Sequence, residues 1–238
     1  MRTRRSKTPA ATARRFERRA RWAGELATPG DRRAAWFSLM LVDHGFLRLV
    51  HSNRFKVTDN LWRSSQPAPA DIRFAKRAGI RTVISLRKET FGGDPLEREA
   101  CAKAGLHFER IIMRSREAPA PAMLREAIAR FPLLPRPVLF HCKSGADRAG
   151  LATALYLIIV EGASAATAAE ALSLRYGHFS RGKTGILDAF IGAYATTGEA
   201  AGLSFSEWVE TVYDPEALLA GFRTSRTADR FLDAIGRE

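Results

Sequence analysis

Ten residues, His141-Cys142-Lys143-Ser144-Gly145-Ala146-Asp147-Arg148-Ala149-Gly150, limit what this chain can fold into more than any other stretch. They follow the apolar run Pro137-Val138-Leu139-Phe140, which reads as a buried strand, and precede an apolar run from Leu151 to Val160, long enough for a core helix. A strand that turns straight into a helix aims several backbone N–H groups at one point, because the first helical amides lack carbonyl partners and the helix dipole adds partial positive charge. Successive amides in a tight turn form an anion nest, and a phosphate fits it. Cys142 lies at the base, where such a field favours thiolate: a free cysteine titrates near about 8.5, and helix N-termini bring this to roughly 3.5–7.5. Arg148, six residues on, can reach back with a planar fork that grips two oxygens. Gly145 permits close backbone approach, and Gly150 is expected to let the helix pack on the sheet.

At these residues the chain resembles the cysteine-dependent phosphatases, whose signature is H-C-x5-R-[ST]-G, matched here by His141, Cys142, Arg148 and Gly150. The wording Cys-Lys-Ser-Gly-x-Asp-Arg is most similar to the atypical dual-specificity and phosphoinositide-directed branches. A softer resemblance covers Leu61-Trp62-Arg63-Ser64-Ser65-Gln66-Pro67 with Thr82 to Arg87, and the helical tail around Trp208 to Pro215 looks like that of bacterial phosphatase-like proteins. The resemblance implies that Cys142 attacks phosphorus and carries a covalent phosphate. Arg148 and the backbone of Lys143, Ser144, Gly145, Ala146 and Asp147 would hold the phosphoryl oxygens, and His141 would orient the turn. No metal or cofactor is implied.

Two positions depart from the pattern. The family places an Asp on the loop before the cysteine strand as general acid, whereas this loop offers Glu117, with Asp147 and Asp94 as alternatives. Ala149 stands where a Ser or Thr normally stabilises the departing thiolate, which implies slow breakdown of the phosphocysteine.

The elements around the motif alternate. Phe55–Val57 and Leu61–Ser65 read as short strands, a helix opens at Pro69, and Thr82–Leu86 is a buried strand. Then come the Gly92-Gly93 loop, a helix from Pro95, a strand from His107 to Met113, and a helix from Pro121 to Phe131. Strand–helix–strand rhythm requires parallel pairing, so the fold class is α/β, a mostly parallel sheet of about five strands flanked by helices. Loops after Leu86, Met113 and Phe140 should then share one face. Ahead of the sheet, Asp31 is expected to cap a helix through Val42, followed by Phe46–Val50 as a helical elbow that packs, or alternatively as an amphipathic face on a membrane. Beyond the motif, helices are expected over 164–174, 184–195, 205–213 and 227–235, so the sheet carries helical extensions at both ends.

Charge enters at the N-terminus. Between Met1 and Trp22 nine Arg and Lys face Glu17 alone, supplying most of the net charge of +13. The organisation expected is a basic, disordered tail over 1–29 and one domain over 30–238. The tail suits an anionic membrane surface, whereas nucleic acid is not expected because no aromatics interleave the charges. With two cysteines, one needed as a free thiol, and no apolar leader or span, the expectation is a cytoplasmic protein, peripheral at the inner membrane surface if the tail engages lipid.

The substrate stays open between phosphorylated protein, the family default, and a phosphoinositide, inositol phosphate or phospholipid, which Lys143 and Arg87 at the mouth would favour. A phosphate-binding pseudophosphatase is the reading from another class.

Overall fold

In the computed structural model, which describes residues 17, 21, 22, 24–88 and 92–222, five strands form one sheet in the order β1-β2-β5-β3-β4. Helix α1 (Pro29–Phe37) runs into a π-helical turn (Ser38–Val42), and the short α2 (Phe46–Val50) completes an elbow. Strands β1 (Phe55–Lys56) and β2 (Leu61–Ser64) form an antiparallel hairpin. Then α3 (Pro69–Arg77), β3 (Thr82–Ser85), α4 (Gly93–Ala104), β4 (His107–Arg110), α5 (Pro121–Arg130) and β5 (Val138–His141) alternate. Each helix makes the crossover that parallel pairing requires. Helix α6 (Asp147–Glu161) leaves the motif, followed by α7 (Ala165–Ala169), α8 (Ile186–Thr197), α9 (Phe205–Thr211) and α10 (Pro215–Gly221).

The expected α/β class and strand set are therefore present. Period-two alternation decides which side chain goes where. Val138 and Phe140 of β5, with Ile84 of β3, face the larger core, where Phe131, Phe140 and Tyr156 stack and α8 and α9 add Phe190 and Trp208. Leu139 and Val83 face the other way, into a smaller core with Ile72 of α3, Cys101 of α4, and Ile80 and Leu106 from the connections ahead of β3 and β4. β5 lies between two parallel neighbours, and the register sets Ser64, His141 and Ser85 side by side at the carboxyl ends. Three loops thus leave the same edge of the sheet, the place where open α/β sheets hold ligands.

The ends of the chain differ from the expectation. Thr28, not Asp31, is the N-cap of α1. Its hydroxyl accepts from the Asp31 N–H at 3.1 Å, and Asp31 returns a 2.9 Å acceptor to the Thr28 N–H, a reciprocal box with Pro29 in the first helical position. Packing also begins upstream of residue 30. Trp22 and Leu26 are buried with Leu39, Met40 and Leu96, and Arg98 donates to the Gly24 carbonyl at 2.8 Å. The elbow packs with one side only: Ala35, Ser38, Leu39 and Met40 are buried, whereas α2 buries none of its five residues.

Helix α7 is half the expected length because the chain turns after Glu170, which brings the Ala171 carbonyl to Arg63 at 2.6 Å. Gly150 serves that same approach rather than sheet packing, since a Cβ there would sit 2.9 Å from the Ala171 oxygen and 2.8 Å from Leu172 Cδ2. Helix α10, unforeseen in the sequence, is capped by the Asp214 carboxylate, which accepts from the N–H groups of Glu216 and Ala217. Most of the basic stretch before Trp22, the tip of the Gly-Gly loop over 89–91 and the helix expected over 227–235 lie outside the described residues.

Candidate active site

The motif folds as the strand-to-helix turn its sequence demanded, and what shapes it is a set of donors placed behind it. The Lys143 carbonyl accepts from the Gln66 N–H at 3.2 Å, and the Ser144 carbonyl from Asn53 Nδ2 at 2.9 Å. The Gly145 and Ala146 carbonyls both accept from Arg63 Nη2 at 2.8 Å. In a planar trans peptide the C=O and the following N–H point in opposite directions. Pulling four successive carbonyls outward therefore turns the N–H groups of residues 144–147 the other way, into one concavity. Gly145 takes φ +77°, and a Cβ there would lie 2.6 Å from the Ser65 nitrogen, so both its conformation and its closeness to β2 require glycine.

Arg63 is the centre of this arrangement. It is fully buried in mid-strand, donates to three carbonyls, and stacks 3.9 Å over the Tyr176 ring. Burial, partly offset by Tyr176, Cys142 and Asp147, lowers its guanidinium pKa to about 10, so it stays charged at neutral pH. Nothing in a four-residue strand pattern distinguishes this role from a solvated cation; the resemblance over Leu61–Pro67 includes Arg63 but assigns it no task. Gln66 lies in that same stretch, again with no role attached, and Asn53 gave no signal.

Cys142 is buried at the base, and its Sγ accepts from the Gly145 N–H at 3.2 Å. Arg48, Arg63 and Arg87 are all within electrostatic reach of it. Cys101 is a packed core thiol, its pKa pushed far up by burial and by Glu97. Arg148, half-buried, occupies the second position of α6, close enough to Lys143 to repel it. Lys143 is held below its ordinary pKa by burial and by Arg87, Arg48 and Arg148, with Asp43 acting in the opposite sense.

Arg87, expected as a cation at the mouth, is instead buried. It makes a two-pronged ion pair with Asp43 at 2.7 and 2.8 Å and donates to Gln66 Oε1 at 2.9 Å. Gln66 Nε2 in turn donates to Glu97 at 2.6 Å, and Glu97 Oε1 lies 2.6 Å from His141 Nε2, an ion-pair distance without hydrogen-bond alignment. Asp43 also receives Arg48 at 2.9 Å. Burial alone would raise the Asp43 pKa, but the hydrogen bonds and charge of Arg87, with Arg48 and Lys143, hold it below the ordinary carboxylate range. A continuous polar chain thus joins the elbow to the strand that carries the cysteine.

The three carboxylates considered as general acid are in different surroundings. Asp147, at the first position of α6, pairs with His178 Nδ1 at 2.7 Å, and His178 Nε2 pairs with Asp188 at 2.6 Å. His178 is therefore a clamp that ties the first residue of α6 to α8. Asp94 is buried at the start of α4, 3.8 Å from Arg110 Nη2. Glu117 is exposed on the loop after β4, with Arg114 donating to both its oxygens at 2.8 and 2.7 Å. That loop is pinned at its far end, where the Tyr213 hydroxyl donates to the Pro119 carbonyl at 2.8 Å.

A cysteine under a concavity of outward-tied peptides, with an arginine at the start of the next helix, is the arrangement of the cysteine-dependent phosphatase class. The profile of the Swiss Army Knife protein DSP-PTPase phosphatase domain matches residues 54–181, more than half of the chain, and the chain belongs to that family. Among curated proteins it is similar to the dual specificity protein phosphatase TpbA of Pseudomonas aeruginosa, strains UCBPP-PA14 and PAO1, with 29% identity over 114 residues. That match covers 46% of this chain and 48% of TpbA, so the chain spans about half the length of the curated relatives it matches. Among solved structures, P. aeruginosa TpbA superposes with TM-score 0.48 at 22% identity, covering 71% of this chain and 90% of that one. PTPMT1 gives 0.46 at 21%, covering 63% and 99%.

Replacing Arg63 by Met should cost about 3–5 kcal/mol in urea unfolding, the loss expected when one partner of a buried charged network is removed. It should also weaken orthovanadate binding at least tenfold; a variant that binds vanadate like wild type would show that the carbonyl ties do not shape the concavity. For His178, burial lowers the pKa, but the bonds to Asp147 and Asp188 outweigh it and raise it to about 9. Because the folded value lies above the unfolded one, its stabilisation is complete below about pH 6.5 and is lost as pH rises through about 9. The stability gap between wild type and His178→Gln should be about 3 kcal/mol at pH 6 and should close by about pH 10; a gap independent of pH would rule the clamp out.

Proposed function

We propose that the protein hydrolyses phosphoric monoesters through a phosphocysteine intermediate, with phosphotyrosine or mixed phosphorylated protein as its substrate class. The observation that carries this reading is the outward tie on the carbonyls of Lys143, Ser144, Gly145 and Ala146 above Cys142. Preorganised donors aimed at developing charge are worth most in a dry site, because they need no reorganisation during reaction.

In the first step Cys142 Sγ attacks phosphorus, the S–P bond forms, and the ester P–O bond breaks. The departing oxygen takes a proton from Glu117. In the second, water attacks phosphorus, the S–P bond breaks, inorganic phosphate leaves, and the water proton returns to Glu117. Arg148 bridges two equatorial oxygens throughout, and His141 positions the strand end. Glu117 is supported by its place on the loop after β4, where its pair with Arg114 is exposed to solvent and exchangeable; Asp147, held by His178, and Asp94, near Arg110, are buried, which leaves both less able to follow a leaving group.

The family and the TpbA similarity support the protein-substrate reading. The half-buried Lys143, with Arg48 and Arg148 nearby, favours a second one, in which a phosphoinositide, inositol phosphate or phospholipid headgroup is hydrolysed. The basic stretch before Trp22 would add attraction to an anionic membrane surface, placing the protein at the periphery of the inner membrane.

Wild type should turn over 4-nitrophenyl phosphate with vanadate as competitor, and Cys142→Ser should abolish turnover while still binding vanadate. Equal absence of turnover in both would assign a phosphate-binding pseudophosphatase. A panel of phosphopeptides against phosphoinositides and inositol phosphates then separates the substrate classes. Two further variants divide the chemical steps. Glu117→Gln should slow alkyl phosphates by about 10²–10⁴ while sparing the good nitrophenyl leaving group. Because Ala149 offers no hydroxyl, wild type should show a pre-steady-state burst that Ala149→Ser removes by speeding breakdown. Unchanged alkyl rates in Glu117→Gln would eliminate that residue as acid, and the lack of a burst would eliminate slow breakdown.

A further inference from the structure

The elbow carries its apolar side outward. Of the thirteen large hydrophobic side chains exposed among the described residues, eight fall between Trp36 and Val50: Trp36, Phe37, Leu41, Val42, Phe46, Leu47, Leu49 and Val50. In α2 the usual amphipathic order is inverted. Leu47, Leu49 and Val50 are 58, 66 and 92% exposed, while Arg48, the one charged residue of the helix, turns inward to Asp43. The π turn explains the face before it. With the Asp43 N–H donating to the Ser38 carbonyl at 2.9 Å, residues five apart share a side, so Ser38 and Asp43 go in together and Phe37 and Val42 come out together. A contiguous face of this size on a folded protein marks a contact surface rather than incidental exposure.

We infer that this face, formed by the elbow and α2, inserts into the interfacial layer of an anionic lipid bilayer. Charge selects that occupant. The chain carries a net charge of +13, and in the sequence nine Arg and Lys precede Trp22, which with Leu26 is buried just ahead of α1. Apolar insertion combined with nearby basic charge is what stable, reversible attachment to anionic lipid needs, because either signal alone is weak. Among the described residues no helix is long and apolar enough to cross a membrane, and the elbow's segments of nine, five and five residues suit lying in the interface. Arg48 joins this face to Asp43 and the polar chain that ends at His141, so the docking face and the strand leading to the cysteine are tied by one buried network. The inference concerns attachment and does not depend on the phosphatase reading.

The test is cosedimentation of the full chain with vesicles of phosphatidylglycerol and phosphatidylcholine, against phosphatidylcholine alone, with light scattering in the absence of lipid. Wild type should bind the anionic vesicles at least tenfold more tightly, and Leu47→Glu/Leu49→Glu/Val50→Glu should lose at least tenfold while keeping its melting temperature. Trp36 emission should shift to the blue on binding and a Trp36→Phe variant should lack that shift. Retained binding in the triple variant would overturn the inference, as the basic stretch alone would then account for attachment. So would a wild-type dimer that the triple variant makes monomeric without any lipid binding, which would give the face to a second copy of the chain.

Discussion

One buried guanidinium holds the candidate site in shape. Arg63 has no solvent to hydrate it, so its desolvation is compensated by the Ala171, Gly145 and Ala146 carbonyls and the Tyr176 ring, with Cys142 and Asp147 within electrostatic reach. Those carbonyls belong to the motif and to the turn after α7, which means that the charge can be satisfied only when β2, the motif and the α7 turn are all in place. Two of these bonds, to Gly145 and Ala146, also turn the following N–H groups of the motif away from Arg63. A stability requirement and a binding geometry are here one set of hydrogen bonds.

A second network supports the strand from the other side. Asp43, Arg87, Gln66, Glu97 and His141 come from the elbow, the loops after β3 and β2, α4 and the end of β5. Buried ion pairs of this kind add little net stability over apolar packing, but an incomplete one is costly, so they specify one arrangement of the elements they join. The elbow is thereby fastened to the sheet through polar groups, and its apolar residues are left free to face outward. Ordinary amphipathic packing would have buried Leu47, Leu49 and Val50 and left Arg48 in water.

The parts legible in the sequence were those in which local chemistry is decisive. The apolar runs around Val83 and Leu139 fixed strands, Pro69 and Pro121 fixed helix starts, and the spacing of Cys142 and Arg148 fixed a strand-to-helix turn. Where a residue's partner is distant in sequence, the local pattern does not carry its role. Arg87 looks like any surface cation until Asp43, 44 residues away, is placed against it. His178 looks like a helix-end residue until Asp147 and Asp188 converge on its ring. Gly150 looks like a helix–sheet contact, but the neighbour that excludes a Cβ is the Ala171 carbonyl.

The sequence by itself determined the α/β alternation, the position of the cysteine at the end of a buried strand, and the turn that must follow it, because hydrophobic period and backbone stereochemistry act over a few residues. Only the tertiary structure decided which carbonyls are drawn outward, which charges are buried and paired, and which side of the elbow meets solvent. Those outcomes depend on groups brought together across tens of residues in a low-dielectric interior, where the energy of a charge is set by its neighbours in space rather than in the chain.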